Sequence, residues 1–236
     1  MQAVAQGAPL PDALNAQNPS DIRFVAPDAL PAGRPYEQHI FDTGNCPTRD
    51  NLHDFFNGLA WLELPRAKRQ LNRLQAAEIA AHGIAAARGP VRDAITVFDE
   101  NGAVLCAPQP LWDALAARDW QRLFVELRPL WAQARLVIVG HALLEKLVQP
   151  RKTFPAHVWN VSGPGGSMAE VDEWLAQQLS ATRLAAKPFL PLPVLGVPGW
   201  WAGNENFSFY DDSLVFRPRK TPEPITTTTS AGASRS

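Results

Sequence analysis

Between positions 136 and 148 the sequence reads Leu136-Val137-Ile138-Val139-Gly140-His141-Ala142-Leu143-Leu144-Glu145-Lys146-Leu147-Val148. The first four side chains are apolar and mostly β-branched, which suits a short buried strand. Gly140 and His141 then lead directly into a segment of helical character that reaches about Val148. A strand that hands over to a helix within two residues marks a body in which helices pack on a sheet.

Working outward, residues 94–98 read as a strand, Asn101-Gly102 as a tight turn and residues 103–106 as a return strand, a β-hairpin near 94–106. Residues 157–161 suit one more strand. Residues 51–62 carry Leu52, Phe55, Phe56 and Leu59 at i, i+3, i+4 and i+7, the spacing of a helix with one buried face. Pro65 opens a second helix at a position where a missing N–H costs nothing. Ala67, Leu71 and Leu74 form its apolar side, and Arg66, Arg69 and Arg73 another face. Residues 111–117 and 120–127 are helical, with Asp119 as an N-cap and Pro129 as a break. Ser167 and Glu170 make a capping box ahead of Val171, Trp174, Leu175 and Leu179. Residues 188–201, punctuated by Pro188, Pro191, Pro193 and Pro198, must be extended, and their apolar side chains, Trp200 and Trp201 included, call for burial. The expected fold is therefore α+β: a helix-rich single domain with a small sheet, including the hairpin, and long Pro-rich extended segments.

The chain has 236 residues, 46% hydrophobic and 19% charged, enough for one large domain or two small ones. Residues 1–20 read as a flexible arm, 21–220 as the globular domain and 221–236, a Thr-rich run, as a disordered tail. Lys and Arg number 22 against 23 Asp and Glu, a balance that argues against nucleic acid as a partner. The first basic residue is Arg23, so no charged region precedes an apolar signal core. No apolar run approaches the ~20 residues of a membrane helix. The expectation is a cytoplasmic protein that does not engage membranes. Two cysteines, Cys46 and Cys106, are too few for a disulfide framework. Both are expected free, although spacing alone leaves a Cys46–Cys106 pair open.

The run Pro47-Thr48-Arg49-Asp50-Asn51-Leu52-His53-Asp54-Phe55-Phe56-Asn57-Gly58-Leu59-Ala60-Trp61 resembles the signature of the bacterial family known as domain of unknown function 3025. The same resemblance extends through Arg92-Asp93-Ala94, Phe98-Asp99-Glu100, Gly140-His141-Ala142-Leu143-Leu144-Glu145-Lys146 and Pro191-Leu192-Pro193-Val194-Leu195-Gly196, and spans about residues 36–219. It implies no activity, cofactor or mechanism, so chemistry must be read from the residues.

Two sets combine an imidazole with an acid. His53 and Asp54 lie in the first turn of a helix, with Asn57 on the same face as His53. His141 and Glu145 stand at i and i+4, the first at the mouth of a strand-to-helix turn where open sheets place binding crevices. His–acid pairs serve acid/base chemistry or hold a divalent ion. Each also has a plain structural use, as a helix-terminal charge or a surface ion pair. Arg92 and Asp93 complete the candidate catalytic set, Arg92 facing an anionic substrate group, although a structural Arg–Asp pair is the simpler reading. Asp99 and Glu100 read as turn residues. Gly163-Pro164-Gly165-Gly166-Ser167 lacks the Lys-Ser/Thr ending of a phosphate loop. The expectation is a metal-assisted or acid/base hydrolase acting on a small anionic substrate. His53, Asp54, Arg92, Asp93, His141 and Glu145 line its pocket, and His53, Asp54, His141 and Glu145 are candidate ligands for a divalent metal. The rival expectation is a non-catalytic interaction module, with a homo-oligomer among its forms, using the aromatic and proline-rich surface near Trp200 and Trp201.

Overall fold

The computed structural model describes residues 7–17, 22–83, 89–161 and 166–219. Among these residues the strands are β1 (Arg23–Val25), β2 (Asn45–Pro47), β3 (Gly102–Cys106), β4 (Arg135–Ile138), β5 (Pro155–Asn160) and β6 (Phe189–Pro193). The main sheet has the order β4-β3-β5-β6. Its register sets Val104 antiparallel to Val137 and parallel to Trp159, with Val158 antiparallel to Leu190. Strands β1 and β2 form a separate parallel pair.

Side chains alternate across a strand, and here both faces of the main sheet are covered. Ala103, Leu105, Leu136, Ile138, Ala156, Val158 and Leu192 point into one apolar layer with Trp120, Phe124, Trp131 and Phe216. Val104, Val137, Val139, Trp159 and Phe189 point into the other, against the helices. This explains why residues 136–139 are apolar without alternation. The helices are α1 (Leu10–Asn15), α2 (Tyr36–Thr43), α3 (Leu52–Glu63), α4 (Pro65–His82), α5 (Pro90–Asn101), α6 (Gln109–Ala117), α7 (His141–Lys146), α8 (Met168–Gln178) and α9 (Ala181–Ala185). The buried Asp172 of α8 accepts the Arg66 and Ala67 amides at 3.0 and 2.8 Å, so α4 takes its N-terminal cap from another helix. The capping box of Ser167 and Glu170 forms as expected. Among the described residues, no helix is long and apolar enough to cross a membrane.

The α+β class stands, but the hairpin does not form as expected. Residues 94–98 belong to α5, and the antiparallel partner of β3 is β4. Ile95, Thr96 and Val97 favour a strand locally. Pro90 at the first turn and the burial of Ala94, Ile95 and Phe98 on one side make the segment a helix instead. The expected inner face of α3 is also turned. Leu52 is exposed, whereas Asp54, Asn57, Gly58, Ala60 and Trp61 are buried, because the helix presents its polar side to a cavity. Residues 10–15, expected in a loose arm, form α1, whose Leu10 and Leu14 pack with Phe24, Ile40 and Trp61. The Pro-rich segment is a strand only over Phe189–Pro193 and then turns through a 3-10 helix at Val194–Gly196; its Leu192, Val194 and Leu195 are buried, yet Trp200 and Trp201 remain about 40% exposed. Cys46 and Cys106 are not joined to each other. The 221–236 tail and most of the 163–167 loop lie outside the described residues.

The junction that opens α7 admits no side chain. A Cβ at Gly140 would overlap the Glu100 carbonyl oxygen and the Asn101 amide nitrogen, both backbone atoms, while the Gly140 amide donates to the Gly102 carbonyl at 2.8 Å. Gly140→Ala is expected to lower unfolding free energy by about 1–3 kcal/mol in urea melts, the usual range for an overpacked core. It should also shift the His141 ring resonances in NMR spectra of the folded fraction.

Candidate functional site

Helices α2, α3, α4, α5 and α7 surround a cavity of about 460 Å³. His53, Asn57 and Trp61 reach it from α3, Lys68 and Gln75 from α4, Asp99 from the last turn of α5, and His141 from the first residue of α7. The two imidazole sets therefore meet, although they lie 88 residues apart in the chain. His53 Nε2 and His141 Nε2 are 3.2 Å apart, with the rings edge-on at 75°.

The contact continues in both directions. His53 Nδ1 is 2.9 Å from Glu145 Oε2. His141 Nδ1 is 3.5 Å from Asp99 Oδ2 and has no closer partner. Lys68 Nζ donates to Asp99 Oδ1 at 2.6 Å and to Asn57 Oδ1 at 2.9 Å, and lies 5.5 Å from the centre of the Trp61 ring. Asn57 Nδ2 donates to the Tyr36 hydroxyl at 3.2 Å, which in turn contacts Cys46 Sγ at 3.2 Å. A line of polar groups thus runs from Glu145 at the surface to Cys46 in the interior, its His141–Asp99 step an ion-pair distance rather than a hydrogen bond.

Burial, the largest influence, lowers the His141 pKa to about 4, with Lys68 and His53 pushing the same way against Asp99. His141 is therefore a neutral imidazole at physiological pH. Burial alone would raise the Asp99 carboxyl, but Lys68 and His141 outweigh it and hold the group below its ordinary value. Burial raises both Tyr36 and Cys46, so neither is activated as a nucleophile.

The expected set assembles only in part. His53, His141 and Glu145 converge. Asp54 lines the cavity, but Arg49 engages its carboxylate through the backbone amide at 2.7 Å, Nε at 3.0 Å and Nη2 at 2.8 Å. Burial would raise the Asp54 pKa, but those bonds pull it down, so Asp54 fastens the loop ahead of α3. Arg92 and Asp93 do not line the cavity, and Asp93 pairs with Lys187 at 2.6 Å. They occupy the first turn of α5, two turns and ~10 Å from Asp99, a separation that the strand reading concealed. The group expected to face an anion is thus elsewhere. Arg66, Arg69 and Arg73 lie on the exposed face of α4, with Arg66 3.4 Å from Glu173.

The four proposed metal ligands do not share a centre. Two imidazole nitrogens on one tetrahedral ion stand about 3.3 Å apart, so the His53–His141 spacing alone would suit either an ion or a shared proton. Glu145, however, sits on the opposite edge of the His53 ring from His141, and Asp54 is held by Arg49. Among the described residues, no group of three or more His, Cys, Asp or Glu side chains is placed to hold a metal ion. Lys68 and Asp99 were missed by reading the sequence. The available signal was a lysine at i−3 to Leu71 and i−7 to Gln75, on the face of α4 that is buried.

The fold and site define an α+β protein with a histidine–carboxylate network on the wall of a deep cavity. Its sequence places it more narrowly: residues 22–220 match the family described as Protein of unknown function (DUF3025), to which the chain belongs. No curated protein and no solved structure matches the chain significantly.

His141 gives stability a pH dependence whose sign is fixed. Its folded pKa of about 4 lies below the ordinary 6.5, so between these values the unfolded chain binds the extra proton and acid favours unfolding. Stability is fully present above about pH 6.5 and is lost as pH falls toward about 4, by roughly 3 kcal/mol. Urea melts at stepped pH should show the difference between wild type and His141→Gln narrowing by that amount across this window. A constant difference would mean that the ring does not titrate as described.

Proposed function

We propose that the chain is an acid/base hydrolase in which His53, oriented by Glu145, moves the proton and His141 serves as its buried neutral partner. The single observation that carries this reading is the line Glu145–His53–His141–Asp99, of which His53, His141 and Asp99 line the cavity. A carboxylate on Nδ1 orients an imidazole and stabilises its protonated form, the arrangement general acid/base catalysis requires. With both nitrogens protonated, His53 donates to Glu145 on one side and to the neutral His141 on the other. Its side chain is 40% exposed, whereas that of His141 is 8% exposed, so His53 is the ring free to turn. Rotation about the Glu145 contact would hand Nε2 from His141 to a water or substrate group. The reading needs no metal, since the residues that would complete a metal centre are engaged elsewhere.

The exposed Trp200, Trp201, Phe207 and Leu214 favour, as a second reading, an interface on that surface. Light scattering at rising protein concentration should give a dimer mass if the patch joins two copies. We also take residues 21–220 as one domain of a protein that works in the reducing cytoplasm.

Panels of chromogenic esters and aminoacyl anilides should reveal turnover in the wild type. His53→Ala is expected to lower kcat/KM by about 10²–10⁴-fold, the usual worth of a positioned acid/base. Glu145→Gln should lower it less and move the acidic limb of the pH profile. No turnover on either panel, or equal turnover in His53→Ala, would overturn the assignment.

A further inference from the structure

We infer that the cavity takes a small organic cation, a molecule bearing a primary ammonium or guanidinium group, held by Glu37 and Glu100. What happens to that ligand rests on the hydrolase reading; whether it binds does not. Four acidic residues line the cavity, Glu37, Asp54, Asp99 and Glu100, against the two permanent cations Arg49 and Lys68. The cations are already matched, Arg49 to Asp54 at 2.8 Å and Lys68 to Asp99 at 2.6 Å. Among the described residues neither Glu37 nor Glu100 has a cationic partner, and both are half-buried. Glu37 and Glu100 therefore carry the two negative charges on the wall that no permanent cation matches.

A second observation has the same sense. Gln75 on this wall is 4% exposed, and its Oε1 accepts no hydrogen bond. A bare buried acceptor is costly unless a donor reaches it. A carboxylate or phosphate ligand would meet like charges and competing acceptors, which removes the anionic substrate from consideration. A divalent ion would supply charge, but the absence among the described residues of three converging His, Cys, Asp or Glu ligands leaves it without a coordination shell. An alkylammonium or guanidinium brings charge and N–H donors together, and its hydrocarbon portion suits the Leu30, Ile40 and Ile95 side of the cavity. Aliphatic amines remain protonated at pH 7.5.

The test is calorimetric titration of the full chain at pH 7.5 with 1,4-diaminobutane, agmatine and, as an anion of similar length, succinate. The amines are expected to bind and succinate to give no heat. Glu37→Gln and Glu100→Gln should each weaken amine binding by about tenfold or more, as removal of a charged hydrogen-bond partner does. His53→Ala should retain amine binding while losing hydrolysis, so the two readings fail separately. Failure of both amines to bind, succinate binding as tightly as they do, or undiminished amine binding in the folded double variant would each overturn the inference.

Discussion

The pairing of the Lys68 ammonium with Asp99 is the constraint around which the site is arranged. A lysine side chain 5% exposed has lost most of its hydration, and isolated it would cost several kcal/mol or discharge. Asp99 restores the balance at 2.6 Å, Asn57 Oδ1 accepts a second N–H at 2.9 Å, and the Trp61 face covers part of what remains. These partners come from α3 and α5 while Lys68 belongs to α4, so satisfying one charge fixes three helices against each other. Asp99 also stands beside His141 and thereby ties in α7. A buried ion pair of this kind contributes little net stability against an apolar replacement, but loss of either member leaves an unmatched charge inside the protein. What it secures here is position.

The rest of the fold makes that position rigid. The main sheet is covered on both faces, and α5 packs Ala94, Ile95 and Phe98 toward it while presenting Asp99 to the cavity. Strand β4 delivers the chain to Gly140, whose lack of a side chain lets α7 begin against the end of α5. His141 is consequently set by backbone contact rather than by its own ring bonds. His53 depends on looser restraints: a surface carboxylate and the other imidazole. One histidine is anchored by the scaffold and the other by its partners, a division that suits a pair in which only one ring must move.

Part of this was legible in the sequence. The strand-to-helix turn at Gly140 placed His141 at a sheet edge, and the capping box of Ser167 and Glu170 could be read outright because capping is local. Convergence of His53 with His141 could be named as a requirement but not deduced, since nothing local sets the distance between segments 88 residues apart. The failures were of periodicity. Ile95, Thr96 and Val97 read as strand, and with that face assignment Asp99 became a turn residue rather than the hub of the network. On α3 the conspicuous Leu52, Phe55 and Phe56 stripe points, by spacing alone, to the wrong inner face. A cavity wall inverts that rule, because polar groups turned inward can satisfy one another there. The same strand reading separates Asp99 from Arg92 and Asp93 in the wrong sense, because only a helix over Pro90–Asn101 shows that the site takes the last turn and not the first.

The tautomers follow from the geometry and decide what the network can do. Two facing nitrogens 3.2 Å apart hold one proton between them, since two N–H groups would clash and two lone pairs would repel. The Asp99 carboxylate beside His141 Nδ1 favours the tautomer with its proton there, which makes His141 Nε2 an acceptor. His53 must then donate from Nε2, and protonation at Nδ1 lets it donate to Glu145 as well. In that form each carboxylate has its own cation, Glu145 with His53 and Asp99 with Lys68, and the line is balanced from end to end. Withdrawing one proton from His53 leaves a contact that only a reversal of the His141 tautomer, away from Asp99, can repair. The network is therefore coupled: a proton taken or given at His53 is felt at Asp99, through a ring whose burial prevents it from keeping the charge.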